Sequence, residues 1–252
     1  MSEKFTEAAT IDEAVKKYFK AGTYLLSNES HSKQIFENEG GDKLIRHYIK
    51  KPADMTIYKL LCGISNPFVR RIYDIGEDDE GYVVYEEYCD GMTLTEVCEN
   101  GEDSTLSDSR ALDIVSCICR GLVALHESGI VHRDIKPDNI IISNDNSVKI
   151  IDFNISKIFK RGSSIDTHIL GTIGFAPPEQ FGFQQSEPRS DLYSLCVVLN
   201  FLLTGQHPSV KLCENKRIKK VITKCLSINP EQRYENARAL YRALQRTRGL
   251  RS

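Results

Sequence analysis

The chain has no tryptophan, no Cys-x-x-Cys pair and no long hydrophobic run. Without an apolar stretch of about 20 residues there is no membrane-spanning helix to expect. The eight cysteines (Cys62, Cys89, Cys98, Cys117, Cys119, Cys196, Cys213, Cys225) are scattered, and no histidine lies near them at metal-ligand spacing. That argues against a zinc site and against a disulfide framework. Most stand among apolar residues, as in Ser116-Cys117-Ile118-Cys119, and read as small core hydrophobes in a reducing compartment. An excess of one charge sign is also missing: 33 Lys and Arg against 35 Asp and Glu leave a formal charge of −2. No overall basic field therefore draws the chain to nucleic acid or anionic lipid. Met1 to Ala9 lacks the apolar core of a signal peptide. The expectation is a cytoplasmic protein with no nucleic-acid and no membrane partner.

What is present suffices for one large domain or two small lobes. Ile11, Ala14, Val15, Tyr18 and Phe19 recur at helical spacing after a Thr-x-x-Glu pattern at Thr10 and Glu13, which predicts a leader helix within residues 1–21. Short alternating runs follow at Thr23–Leu26, Gln34–Glu37, Leu44–Ile49, Val69–Ile75 and Tyr82–Tyr88, broken by turn residues and by one helix around Ala53–Gly63. From Ser107 the periods lengthen: residues 108–127, 191–204, 218–226 and 236–247 read as helices. The fold class is α+β, a small β-rich N-lobe (about 22–88) before a larger helical C-lobe (about 91–252), within a domain of 22–252. The boundary falls at Tyr88–Gly91, and a cleft between two such lobes is a natural ligand site.

The chemistry concentrates between Ile130 and Asn154. Two short apolar strands, Ile140–Ile142 and Val148–Ile151, flank an Asn-Asp-Asn turn, and this hairpin brings Asn139 near Asp152. An amide oxygen and a carboxylate make a hard-oxygen site suited to magnesium, which takes its other ligands from water and phosphate. Asp134, five residues before Asn139, can face the same phosphate, and Lys136 can offset the charge that builds there. Phosphoryl transfer needs mainly positioning and charge neutralisation, and these four residue types supply both.

His132-Arg133-Asp134-Ile135-Lys136-Pro137-Asp138-Asn139, followed by Asp152-Phe153, resembles the catalytic loop and metal-binding strand of the protein-kinase family. Lys136 is similar to the serine/threonine branch. Gly171–Glu179 resembles the segment that closes the family's activation loop, Asp191–Leu195 the start of its buried central helix, and Arg233 the arginine that pairs with Glu179. The resemblance covers roughly Gly22 to Thr247 and implies a bilobal protein-kinase-like fold. It also implies catalytic roles for Asp134, Lys136 and Asn139, with Asn139 and Asp152 on the metal.

The small lobe departs from that pattern. Ser27–Lys33, where the family carries a glycine-rich phosphate cover, contains no glycine, and Gly40-Gly41 reads as a hairpin turn. For the third-strand lysine two registers compete, Arg46 and Lys50. Arg46 is preferred, because the other register would put Pro52 inside the strand. In this reading Leu44, Arg46 and Tyr48 face the pocket while Ile45 and Ile49 pack on the other side. The helix glutamate is missing; Ile57 stands at its place and Asp54 nearly a turn away. Glu86, at the position that walls the back of the nucleotide pocket, is the expected partner of Arg46, with Glu87 and Tyr88 beside the nucleotide. Asn154 replaces the glycine after Asp-Phe and is expected to keep the turn through its tolerance of left-handed angles. Ser163, Ser164 and Thr167 are candidate phosphorylation sites facing Arg133, or part of an unmodified polar loop.

The expected function is ATP- and magnesium- (or manganese-) dependent transfer of phosphoryl groups to serine or threonine hydroxyls of a protein substrate. The alternative is a pseudokinase, a scaffold or nucleotide-sensing module that keeps the large lobe for packing. The sequence names no substrate.

Overall fold

Alternating apolar residues and polar turns in the first third of the chain build a five-stranded antiparallel sheet. Its strands are β1 (Phe19–Ser27), β2 (His31–Asn38), β3 (Lys43–Lys50), β4 (Ile72–Glu77) and β5 (Gly81–Glu87), in the order β1-β2-β3-β5-β4. The computed structural model describes residues 11–101, 105–159, 172, 174–181 and 185–248. The chain divides into two units, Met1–Asn66 with Arg70–Cys89, and Pro67–Val69 with Asp90–Ser252.

In the first unit the leader helix α1 (Ile11–Tyr18) is not a separate appendage. Its Val15 is buried with Leu44, Val83 and Tyr85, and Phe36, Tyr48 and Tyr73 pack around them. Thr10, the expected cap, lies outside the described residues. Helix α2 (Thr56–Cys62) covers the opposite face, where Tyr58 meets the edge of His47 at 5.8 Å between ring centroids. Asp54, just before the helix, accepts from the backbone N–H of Thr56, its first residue, at 2.9 Å. The β1–β2 turn closes without glycine: Asn28 Oδ1 accepts from the N–H groups of Ser30 (3.0 Å) and His31 (2.8 Å).

The second unit is built on α4 (Asp108–Glu127) and the almost wholly buried α5 (Pro188–Thr204), with α6 (Lys216–Cys225) and α7 (Ala237–Arg248) packed on them. Leu122, Leu125, Leu195, Leu199 and Leu240 have no exposed surface. Each such side chain stabilises the core by about 1.5–3 kcal/mol. Helix α3 (Leu94–Asn100), only seven residues long, escaped the periodicity; its signal is the capping box of Thr93 and Glu96. The three-stranded sheet β6 (Gly91–Thr93), β8 (Ile140–Ser143) and β9 (Val148–Ile150) contains the expected hairpin, with Ile140 opposite Ile150. Strands β7 (Ile130–Val131) and β10 (Lys157–Ile158) pair beside it.

All eight cysteines are described and none forms a disulfide; six are buried, Cys117 is half-buried and Cys62 is exposed. Burial pushes the Cys119 and Cys196 thiols well above their usual range, as expected of packing residues. Among the described residues no helix is long and apolar enough to cross a membrane.

Candidate active site

The loop from His132 to Asn139 leaves β7 and is fixed from below by Asp191 at the start of α5. Asp191 accepts from the backbone N–H of His132 (2.9 Å) and of Arg133 (2.8 Å), and its carboxylate lies 2.8 Å from His126 Nε2. Burial alone would raise the Asp191 carboxyl. The hydrogen bond and charge of His126, the charge of His132 and that residue's N–H outweigh burial and hold it below its ordinary value. Arg133 has a left-handed backbone (φ 70°), and its carbonyl accepts from Gln180 Nε2 at 2.8 Å. These bonds turn the chain so that residues 134–139 form one polar cluster.

Within that cluster Asp134 is held on both carboxylate oxygens. Asn139 Nδ2 donates to Oδ2 (2.8 Å) and to the Asp134 carbonyl (2.9 Å); Thr172 Oγ1 donates to Oδ1 (2.8 Å). Lys136 Nζ donates to Thr172 Oγ1 at 2.8 Å and sits 3.2 Å from Asp134 Oδ2. The structure thus brings together Asp134, Lys136 and Asn139, and adds Thr172, which the sequence reading passed over. Its position inside the Gly171–Glu179 segment was the available signal.

The hairpin carries Asp152 to the same loop. Ile151 N–H donates to the Asn139 carbonyl at 2.9 Å, so Asp152 is the next residue beyond that link. Asp152 itself takes the left-handed conformation (φ 64°), and Phe153 packs edge-on against His132. Asn154 is not among the described residues with positive φ, so the expected left-handed turn falls on Asp152 instead. Further along, Arg233 grips Glu179 with both terminal nitrogens, at 2.6 and 2.8 Å, in a buried bidentate pair. Beside this segment a hollow of about 320 Å³ is lined by Gly174, Ala176, Pro178, Phe181, Tyr193 and His207. Ser163, Ser164 and Thr167 lie outside the described residues.

The small-sheet candidates are arranged differently from expectation. Glu86 is buried at 2% exposure, and its partners are His47 (Nδ1 to Oε1, 2.9 Å), Arg70 (Nη1 to Oε2, 3.2 Å) and Lys33 (Nζ to Oε1, 3.9 Å). Strand alternation explains why Arg46 is not among them. Ile45, His47 and Ile49 share the face of Glu86, whereas Leu44, Arg46 and Tyr48 share the face under α1. Lys50 has the same parity as Arg46 and is exposed at the strand end, so both proposed registers miss the intervening His47. Glu87 accepts from the Arg71 N–H at 3.1 Å, and Lys43 lies over the Tyr88 ring.

Charge in this cluster is unevenly held. Burial would raise the Glu86 carboxyl, but Lys33, the His47 hydrogen bond and Arg70 overcome it and hold Glu86 well below the usual carboxylate range. Burial pushes His47 below its ordinary value, against the pull of Glu86. A neutral His47 protonated on Nδ1 donates to Glu86 and leaves Nε2, 3.2 Å from His31 Nδ1, as an acceptor.

Comparison with known proteins gives a concordant picture. The family described as "Protein kinase domain" matches residues 49–245. The chain is similar to the serine/threonine-protein kinase PknB of Mycobacterium leprae, 32% identical over 205 residues covering 70% of this chain and 32% of the relative. It is similar also to the serine/threonine-protein kinase PrkC of Bacillus subtilis, 37% identical over 175 residues covering 69% of this chain and 26% of the relative. The chain therefore spans about a third or less of the length of these curated relatives.

Proposed function

We propose that this chain, which belongs to the protein kinase family, transfers a phosphoryl group from ATP to serine and threonine hydroxyls of protein substrates. The observation that carries the reading is the Asp134 carboxylate, anchored on both oxygens by Asn139 and Thr172 with Lys136 beside it. Such a carboxylate is positioned for a hydroxyl rather than merely buried. Asp134 orients the acceptor hydroxyl and receives its proton as the new oxygen–phosphorus bond forms and the old one breaks toward the departing ADP. Lys136 offsets the negative charge on the transferring group.

Asn139 and Asp152 fit magnesium or manganese. The Asn139 amide nitrogen is engaged by Asp134, which leaves Oδ1 as a hard-oxygen donor, and Asp152 adds a carboxylate one residue beyond the hairpin link. The bound ion supplies charge neutralisation for the phosphates of ATP. Glu86, Glu87 and Tyr88, at the end of the first unit, are read as neighbours of the nucleotide. The hollow lined by Phe181, Tyr193 and His207 suits an apolar side chain next to the acceptor residue of the substrate. Eight cysteines without a disulfide support a reducing, cytoplasmic setting.

A nucleotide-sensing scaffold without catalysis is the second reading. It is favoured by the glycine-free turn at Asn28–Ser30, and the names of the relatives weigh against it. Incubating the full chain with labelled ATP and magnesium or manganese, beside Asp134→Asn, separates the two. Transfer that vanishes in the variant supports the kinase, and ATP binding without transfer supports the scaffold.

A further inference from the structure

The small lobe must present a cation to the nucleotide phosphates if the kinase reading holds, and the third strand does not offer one on the right face. Arg46 lies under α1 on the far side of the sheet, and His47, on the face of Glu86, is kept neutral by burial. A neutral imidazole adds no charge to a phosphate. Directly opposite His47 in the antiparallel register stands Lys33 of β2. Side chains facing each other across such a pair have Cβ atoms only about 4.5–5.5 Å apart. A lysine on β2 therefore brings its flexible four-carbon stem to nearly the place a third-strand lysine would occupy.

Lys33 is also distinguished by burial. The strand cations Lys20, Lys43 and Lys50 are exposed and Arg46 is half-buried, whereas Lys33 is 9% exposed. A buried ammonium needs a carboxylate, and Glu86 provides one at 3.9 Å, beyond a direct hydrogen bond. Two full positive charges, Lys33 and Arg70, meet the single charge of Glu86. Arg70 is the closer of the two at 3.2 Å.

We propose that Lys33 is the small-lobe residue that binds the nucleotide phosphates, held in place by Glu86 and by His47 across the strand pair. The ion pair usually made between a third strand and a helix is here made between β2 and β5, which accounts for the absence of a carboxylate at Ile57. This inference rests on the kinase reading for its substrate, but its test does not depend on turnover.

The test is calorimetric binding of ATP and of adenosine to the full chain, with labelled-phosphate transfer followed in parallel, for wild type, Lys33→Met, Lys33→Arg and Arg46→Met. Wild type binds ATP more tightly than adenosine. Lys33→Met loses about tenfold to a hundredfold in ATP affinity, the size of a charge-assisted hydrogen bond, and leaves adenosine unchanged. Transfer falls by about 10²-fold or more. Lys33→Arg recovers part of both, and Arg46→Met changes neither. Should Lys33→Met fail to fold, Lys33→Gln keeps a polar head in the cluster without the charge and gives the same readout. An unchanged preference for ATP in a folded Lys33→Met or Lys33→Gln overturns the proposal, as does a wild type that binds ATP and adenosine alike. If wild type transfers no phosphate yet its ATP preference collapses in Lys33→Met, the phosphate subsite stands and the kinase reading falls.

Discussion

Asn139 donates through its amide nitrogen to two oxygens of Asp134, the backbone carbonyl at 2.9 Å and the carboxylate at 2.8 Å. One side chain thereby sets both the path of the loop and the direction of the carboxylate. Asn139→Asp keeps the size and removes the donors, placing a second carboxylate against Asp134. Turnover should fall by about 10²-fold, the cost of misplacing a reacting group by an ångström. Steady-state kinetics at several magnesium and manganese concentrations check this, and a variant within threefold of wild type contradicts it.

Thr172 supplies the other anchor. Thr172→Val removes the hydroxyl shared by Asp134 and Lys136 at nearly constant volume, and kcat should drop by about one to two orders of magnitude with little change in thermal midpoint. Thr172→Ser, which restores the hydroxyl, should recover most of it. Equal losses in both variants would mean that the hydroxyl is not what matters.

The Glu179–Arg233 pair is buried on both sides and bidentate. Removing one partner leaves an uncompensated buried charge, so Arg233→Met should destabilise the chain by about 3–5 kcal/mol in urea unfolding. Arg238→Met, at an exposed pair with Glu127, should cost about 1 kcal/mol or less.

His47 and two buried carboxylates, Glu86 in the small lobe and Asp191 in the large, make stability depend on pH in two stages. His47 titrates below its ordinary value when folded, so as pH falls below about 6.5 the unfolded chain takes up a proton first and stability declines. Glu86 and Asp191 are both held below their ordinary values, so their stabilisation is present above about pH 4 and is lost as pH falls further toward their folded values. Thermal midpoints from pH 8 to pH 3 should show both declines, and His47→Gln should lose the upper one alone.

The large-lobe cluster was legible because its parts are local: Asp134, Lys136 and Asn139 lie within six residues, and a hairpin readable from its turn brings Asp152 to them. Thr172 was not, because its link to Asp134 spans 38 residues of sequence. In the small lobe the sheet itself was readable, but the side of it that matters was not. Arg46 and Lys50 have the same strand parity, so choosing between them could not reach His47 on the opposite face. Lys33 falls at the end of Ser27–Lys33, the stretch that stands in place of the family's phosphate cover, before the strand expected at Gln34–Glu37. Asn28 closes the β1–β2 turn within three residues and lets β2 begin at His31, which puts Lys33 inside the strand and opposite His47. Pairing across strands depends on register, and register depends on where turns close.

The central claim is that Asp134 directs phosphoryl transfer to serine and threonine hydroxyls. It is tested most directly by phosphoamino-acid analysis of protein labelled from γ-³²P ATP by the wild-type chain and by Asp134→Asn. The account predicts label on phosphoserine or phosphothreonine with wild type, reduced by about 10²–10⁴-fold in the variant. Label of equal intensity in both, or none with wild type while ATP is bound, would contradict it.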